Sequence, residues 1–291
     1  MKKNFLFATA LLSVIVIGFI GYQRMKKPLV SVVMLTYKRA DIVPEAIESI
    51  LNQTYKNFEL IILNDGSPDN TDDVIAGYLK KDSRISYYKN DKNRGIAYSR
   101  NRVTALAKGK YVAIMDDDDI SLPNRLEKQV DFMEKNPEID VLAGQIKDLS
   151  RIPESHNEIA TGLIQYNNFG NANTMYRRQI VQKYQIKYPN FNYGEDWHFW
   201  LQILFKGGKF AAISDDVVIR RGDSKKHYSA KPETSHELIH QFVGNFFSPE
   251  NTQAFYKADA CSKLNMIKKA PVQIFTKDYL QNLIQSNCFS N

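Results

Sequence analysis

Cysteine is almost absent: Cys261 and Cys288 are the only two in 291 residues. So few and so placed, they offer neither a zinc-ligand spacing nor a disulfide framework, and they read as free thiols of a reducing compartment. Acid is missing from the first 27 residues, where Lys2, Lys3, Arg24, Lys26 and Lys27 supply five of the seven net positive charges. The basicity thus belongs to one terminus and the remainder is nearly balanced, which argues against a nucleic-acid partner. Also missing is any Gly-rich, Lys-containing loop near the first strand pattern, the device expected of a nucleotidyltransferase built on a similar sheet.

What is present is ample apolar material: 43% of the residues are hydrophobic, enough for one large domain or one domain with an appendage. From Asn4 to Gln23 there is no charge, and Leu, Ile, Val and Phe dominate. Twenty helical residues rise about 30 Å, the thickness of a bilayer core. Met1-Lys2-Lys3 is also a good lead for a signal peptide, but Tyr22-Gln23-Arg24-Met25-Lys26-Lys27 lacks the small-x-small pattern of a cleavage site. Residues 1–27 are therefore expected to be an uncleaved single-pass membrane anchor. The greater positive charge after the span favours a cytoplasmic position for the catalytic part of the chain.

Next comes an alternation of short β-branched runs and helical patterns. Strands are expected over 29–36, 58–63, 85–88 and 111–115, with helices from Asp41, over 71–80 and over 96–107. Such alternation implies a parallel sheet of right-handed βαβ units, whose ligands bind beyond the carboxyl ends of the strands. Thr36-Tyr37-Lys38-Arg39, Asp65 and the tetrad Asp116-Asp117-Asp118-Asp119 all fall at such ends, and a helix start is expected at Pro123. Four successive carboxylates repel one another unless a cation compensates, so the favoured occupant is a hard divalent ion with oxygen ligands, bridging to phosphate. A solvated acidic turn is the plainer alternative. Asp65 before Gly66 has the placement to accept N–H groups of a nucleotide base, or to cap its own turn. Gly95 stands at a helix entrance where backbone donors and Arg100 can approach phosphate or ribose.

Four segments in order carry a resemblance: Val30-Ser-Val-Val-Met-Leu-Thr-Tyr-Lys-Arg39, Leu51-Asn-Gln-Thr-Tyr-Lys-Asn-Phe-Glu-Leu-Ile-Ile-Leu-Asn-Asp-Gly-Ser67, Asn93-Arg-Gly-Ile-Ala-Tyr-Ser-Arg-Asn101 and Asp116-Asp-Asp-Asp-Ile-Ser-Leu-Pro123. From Val30 to about Leu126 the sequence resembles the N-terminal half of a family 2 glycosyltransferase with the GT-A fold, a Rossmann-like α/β domain with a mostly parallel sheet. The resemblance implies that Thr36, Tyr37, Arg39, Asp65, Arg100, Asp116 and Asp117 serve the nucleotide sugar, commonly a uridine one. It also implies that Asp118 holds Mg²⁺ or Mn²⁺, with Asp116 and His227 as further candidates.

A polar stretch around Pro153, without clear periodicity, is expected to be a loop. Gly170 to Arg178 resembles the family's strand and helix start behind the acceptor site. Glu195-Asp196 opens a helix whose apolar face includes Trp197, Trp200, Leu201 and Leu204. By resemblance Asp196 is the general base that takes the acceptor hydroxyl's proton, and Glu195 orients the acceptor or the loop. Closing strands are expected over 210–213 and 217–219. In many relatives an arginine and then a histidine follow; here Arg221 or Gly222 fills the histidine's place, and His227 is late. The Gln-x-x-Arg-Trp signature of processive polymerases is missing, which implies single additions. After Ser229 helical patterns fill the chain to 291. The expected organisation is thus an anchor over 1–27, a GT-A domain over 28–228 and a helical extension over 229–291. Its donor would be a nucleotide sugar and its acceptor a glycan or lipid-linked hydroxyl, in envelope or surface glycan synthesis. A metal-dependent nucleotidyltransferase or a silent nucleotide-sugar-binding module is the alternative.

Overall fold

The computed structural model describes residues 29–165, 167–190 and 194–221. The expected anchor, His227, both cysteines and the helices expected after Ser229 lie outside the described residues. Within them, no helix is long and apolar enough to cross a membrane.

Eight strands form one sheet: β1 (Val30–Thr36), β2 (Phe58–Asn64), β3 (Ile85–Lys89), β4 (Tyr111–Asp116), β5 (Asp119–Ser121), β6 (Val141–Ile146), β7 (Thr174–Arg177) and β8 (Phe210–Arg220), in the order β3-β2-β1-β4-β7-β6-β8-β5. The half from β3 to β4 is parallel throughout, as its βαβ units require. Beyond β4 the sheet is mixed, because β7 runs antiparallel to both β4 and β6.

Among the described residues seven helices cover both faces: α1 (Val43–Leu51), α2 (Thr71–Leu79), α3 (Ile96–Leu106), α4 (Arg125–Lys135), α5 (His156–Gln165), α6 (Arg178–Tyr184) and α7 (Glu195–Phe205). The period-two geometry of the strands divides their side chains between two cores. Val30, Val32 and Met34 pack with Leu60, Ile62, Ala113 and the inner faces of α1 and α4. Val33, Ile61, Leu63, Val112 and Ile114 pack on the other side with α3, α5 and α7. Burial on both faces explains why these strands are continuous β-branched runs. The second core centres on Trp200, which makes edge contacts with Phe169, Tyr176 and Phe199. Trp200 is fully buried, so truncation to Ala should cost about 3–5 kcal/mol.

Three expectations are corrected. The stretch around Pro153 is followed by a helix, α5, whose Ile159, Ala160 and Leu163 are buried. It opens on a reciprocal cap, in which Ser155 Oγ donates to Glu158 Oε2 at 2.5 Å and accepts from the Glu158 N–H at 3.4 Å. The two closing strands are one, β8, which runs on through exposed Ser214 and Asp215 while its pairing with β6 shifts register. Pro123 does not start a helix: Asp119 to Ser121 instead form β5, and α4 begins at Arg125. Buried Gln53 fixes this turn, donating to Leu122 O at 2.8 Å and accepting from the Leu126 N–H at 3.0 Å.

The candidate active-site cleft

The carboxyl ends of β1, β2 and β4 lie side by side, with Thr36 opposite Asn64 and Leu35 opposite Asp116. After β1 the chain turns at Lys38 with a positive φ of 57°, and its N–H donates to Ser67 Oγ at 2.9 Å, tying the first loop to the second. Gly66 has φ 72°, and a Cβ there would come within 2.4 Å of the Lys92 carbonyl carbon. Only glycine allows that approach.

Asp65 is nearly buried and brackets the entrance of α3. Its Oδ1 accepts from Asn90 Nδ2 at 2.6 Å and from the Arg94 N–H at 2.9 Å, and its Oδ2 accepts from the Gly95 N–H at 3.0 Å. Both oxygens therefore already hold protein donors. The residue does more than cap its own turn: it fastens the loop after β2 to the loop before α3.

The Arg100 side chain is turned to two carboxylates, with Nη2 3.7 Å from Asp116 Oδ1 and Nε 3.5 Å from Glu195 Oε1. Its guanidinium also lies 5.6 Å from the centre of the Tyr188 ring. Burial drives the Glu195 pKa upward and Arg100 draws it back down. Asp116 is likewise raised by burial, with Arg100 opposing and the charges of Asp118 and Asp196 adding to the rise. The acidic tetrad and the start of α7 thus face one cleft and feel each other's charge.

Within the tetrad, Asp119 is held by β5, which pairs antiparallel with the end of β8. Its Oδ1 accepts from the Arg221 N–H at 3.3 Å, and Arg221 Nε donates to the Asp118 carbonyl at 3.2 Å. The Arg221 guanidinium continues to Glu45 and to the Ile42 carbonyl at the start of α1, so it clamps the acidic run against that helix. Arg39 Nη1 donates to Asp118 Oδ2 at 3.0 Å. Burial pushes Asp117 up to about 7, against the pull of the Thr36 hydroxyl and Arg39, and pushes Asp119 to about 7, with the charges of Asp116 and Asp118 adding. Buried Arg125, drawn down to about 10 by desolvation, lies behind the run, where its Nη2 donates to the Ile114 carbonyl at 2.8 Å.

Among the described residues no group of three or more His, Cys, Asp and Glu is arranged to hold a metal. The donor chemistry still fits a hard cation. Asp116 and Asp118 offer oxygen ligands, each beside an arginine, Arg100 and Arg39, and a magnesium-like ion commonly takes one or two carboxylates and completes its shell with phosphate oxygens and water.

Asp196 is half-buried in the first turn of α7. Its Oδ1 accepts from the Trp197 N–H at 2.7 Å, and its Oδ2 lies 3.3 Å from Asn167 Nδ2. Asn167, Asn101 and Tyr188 went unnoticed in the sequence. Asn101 had a visible signal, since it directly follows Arg100 in the third motif; Asn167 and Tyr188 carry none.

The sequence pattern described as Glycosyl transferase family 2 matches residues 31–222. An uncharacterized glycosyltransferase of Methanocaldococcus jannaschii is 35% identical over 71% of this chain and 75% of its own length. The putative teichuronic acid biosynthesis glycosyltransferase TuaG of Bacillus subtilis is 32% identical over 72% of this chain and 86% of its own. WfaP of Escherichia coli, a UDP-Glc:alpha-D-GlcNAc-diphosphoundecaprenol beta-1,3-glucosyltransferase, is 36% identical over 62% and 72%. Among solved structures, S. aureus TarS 1-349 in complex with UDP-GlcNAc superposes with a TM-score of 0.61 at 18% identity, over 89% of this chain and 81% of that one. The mannosyltransferase PcManGT of Pyrobaculum calidifontis, in complex with GDP-Man and Mn²⁺, gives 0.59 at 15%, over 92% and 77%. These two likenesses place the domain in a GT-A-like α/β fold. With two thirds of the chain under the family's pattern and relatives above 30% identity along most of it, the protein belongs to glycosyl transferase family 2 and is a glycosyltransferase.

Proposed function

We propose that the protein transfers a sugar from a nucleoside diphosphate donor, a uridine one, to an acceptor hydroxyl in envelope glycan synthesis, in a single inverting step. The observation that carries this reading is the placement of Arg100 between Asp116 and Glu195, which joins the acidic strand end to the start of α7 in one cleft. The envelope role draws support from what TuaG and WfaP are said to make, and the uridine donor from the names of WfaP and the TarS complex.

The reaction divides among this chain's own groups. Asp196 accepts the proton of the acceptor hydroxyl, whose oxygen forms a bond to the anomeric carbon from the face opposite the leaving group. The carbon–oxygen bond to the diphosphate breaks, and the electron pair leaves with it. A sugar hydroxyl is a poor nucleophile at neutral pH, so a positioned base contributes about 10²- to 10⁴-fold. Arg39, on Asp118, is within reach to offset the charge of the departing diphosphate. A divalent cation on Asp118, with Asp116 beside it, would supply further counter-charge there. The uncharged segment at 4–23 would hold the domain at a membrane surface, on the cytoplasmic side, which suits a lipid-linked acceptor.

The test is a screen of nucleotide sugars by release of nucleoside diphosphate, with and without chelator, using membrane extract or a polyprenyl-diphosphate sugar as acceptor. Release that depends on acceptor and disappears in Asp196→Asn supports the reading. Release of inorganic diphosphate in its place would point to nucleotidyl transfer, and no turnover with any donor to a silent binding module.

A further inference from the structure

The loop before α7 is tied to α3 by one side chain. Asn101 Nδ2 donates to the Tyr188 carbonyl at 2.7 Å, and Asn101 Oδ1 accepts from the Tyr188 N–H at 2.8 Å. A single amide thereby satisfies both backbone groups of a residue that belongs to no strand. The Tyr188 ring, almost wholly buried, stacks flat on Phe199 of α7, with 4.1 Å between centroids and 5° between planes. A second tie lies one residue earlier, where Gln202 Nε2 donates to the Lys187 carbonyl at 2.7 Å. Arg100, next to Asn101, holds Glu195.

We infer that Asn101 is a positioning residue for catalysis: through Tyr188 and Phe199 it sets where α7 presents Asp196 over the donor side of the cleft. The other end of the linkage lies on that donor side. α3 is entered through Gly95, whose N–H is held by Asp65, and Arg100 on the same helix reaches Asp116. One rigid helix therefore carries the register of the donor-side loops to the helix bearing the base. Displacements near 1 Å between reacting groups are enough to cost about 10²-fold in rate. The Asn101 amide is spent on the Tyr188 backbone, so its loss should leave donor binding intact. The inference rests on Asp196 being the base.

The experiment uses the full chain and measures two things: affinity for UDP, or for GDP if wild type binds that instead, by calorimetry, and turnover of the nucleotide sugar the wild type accepts. Asn101→Ala should lower kcat by about 10- to 100-fold while nucleotide affinity and donor KM stay within about threefold. Phe199→Leu, which loosens the same stack from the α7 side and leaves Asn101 in place, should give the same split. Parallel loss of kcat and nucleotide affinity in these variants would overturn the inference, as would wild-type kcat in Asn101→Ala. A wild type that binds nucleotide and turns over no sugar would instead remove the reading of Asp196 beneath it.

Discussion

Arg39 Nη1 lies 3.0 Å from Oδ2 of Asp118, so the carboxylate expected to meet a metal is already paired with a cation from the chain itself. A divalent ion arriving without diphosphate must compete with that guanidinium, whereas one arriving with the donor gives Arg39 a phosphate to turn to. Arg39→Gln should therefore bind free Mn²⁺ about 3- to 10-fold more tightly and the nucleotide sugar more weakly. Titration of Mn²⁺ by electron paramagnetic resonance, beside donor calorimetry, measures both. Unchanged Mn²⁺ affinity would remove Arg39 as a competitor.

Asp196→Asn keeps the side-chain shape and the acceptor for the Trp197 N–H but removes the proton acceptor. Its kcat should fall by about 10²- to 10⁴-fold with donor dissociation unchanged. Single-turnover transfer, set beside nucleotide calorimetry, separates the two quantities.

Asp65→Ala removes the acceptor shared by the N–H groups of Arg94 and Gly95 and the amide of Asn90, leaving Gly95 its bond to Asn93 Oδ1 and Asn90 its bond to Ser99 Oγ. Losing these bonds should cost about 1–3 kcal/mol, and it frees the entrance of α3. A lower melting temperature together with a donor KM raised about tenfold is the expected pair of results. A changed KM at constant stability would instead assign Asp65 to direct base contact.

The sign of one pH effect comes from His198, buried in α7 and held down to about 4 by desolvation. The neutral ring accepts from Gln202 Nε2 at Nδ1, 3.0 Å away. Between the ordinary value of 6.5 and 4 the unfolded chain binds the proton and the folded one does not. The ring's contribution to stability is thus complete above 6.5 and is lost as pH falls toward 4, by up to about 3 kcal/mol. His198→Gln should flatten the fall of melting temperature over that window. Thermal scans from pH 7 to 4.5 decide it, and parallel curves would refute it.

The parallel half of the fold was legible because its inner strands are apolar on both faces and end in polar turns, as Val30–Thr36 and Tyr111–Asp116 do. The mixed half was not. The residues of β5 read as the tail of an acidic turn, and only their pairing with Ile219 and Arg220, remote in sequence, makes them a strand. α5 was missed although Ser155 and Glu158 spelled out its cap, because Pro153 pointed to a loop. In the cleft, residue types at strand ends marked the place, and partners did not follow from them. The neighbours of Arg100, Asp116 and Glu195, come from a strand end and a helix that only the folded chain brings together. Asn101 escaped because its role lies in backbone groups of Tyr188, which have no sequence identity to recognise.

The order of strands from β3 to β4 has an evolutionary consequence. Each cleft loop issues from its own strand and is cross-tied by short side chains such as Ser67 and Asn90, while the ladders beneath run uninterrupted. Insertions or swaps in a single loop can thus retune which substrate is accepted without disturbing its neighbours' register. Divergent specificities can arise on this scaffold through local edits, with the foundation left alone.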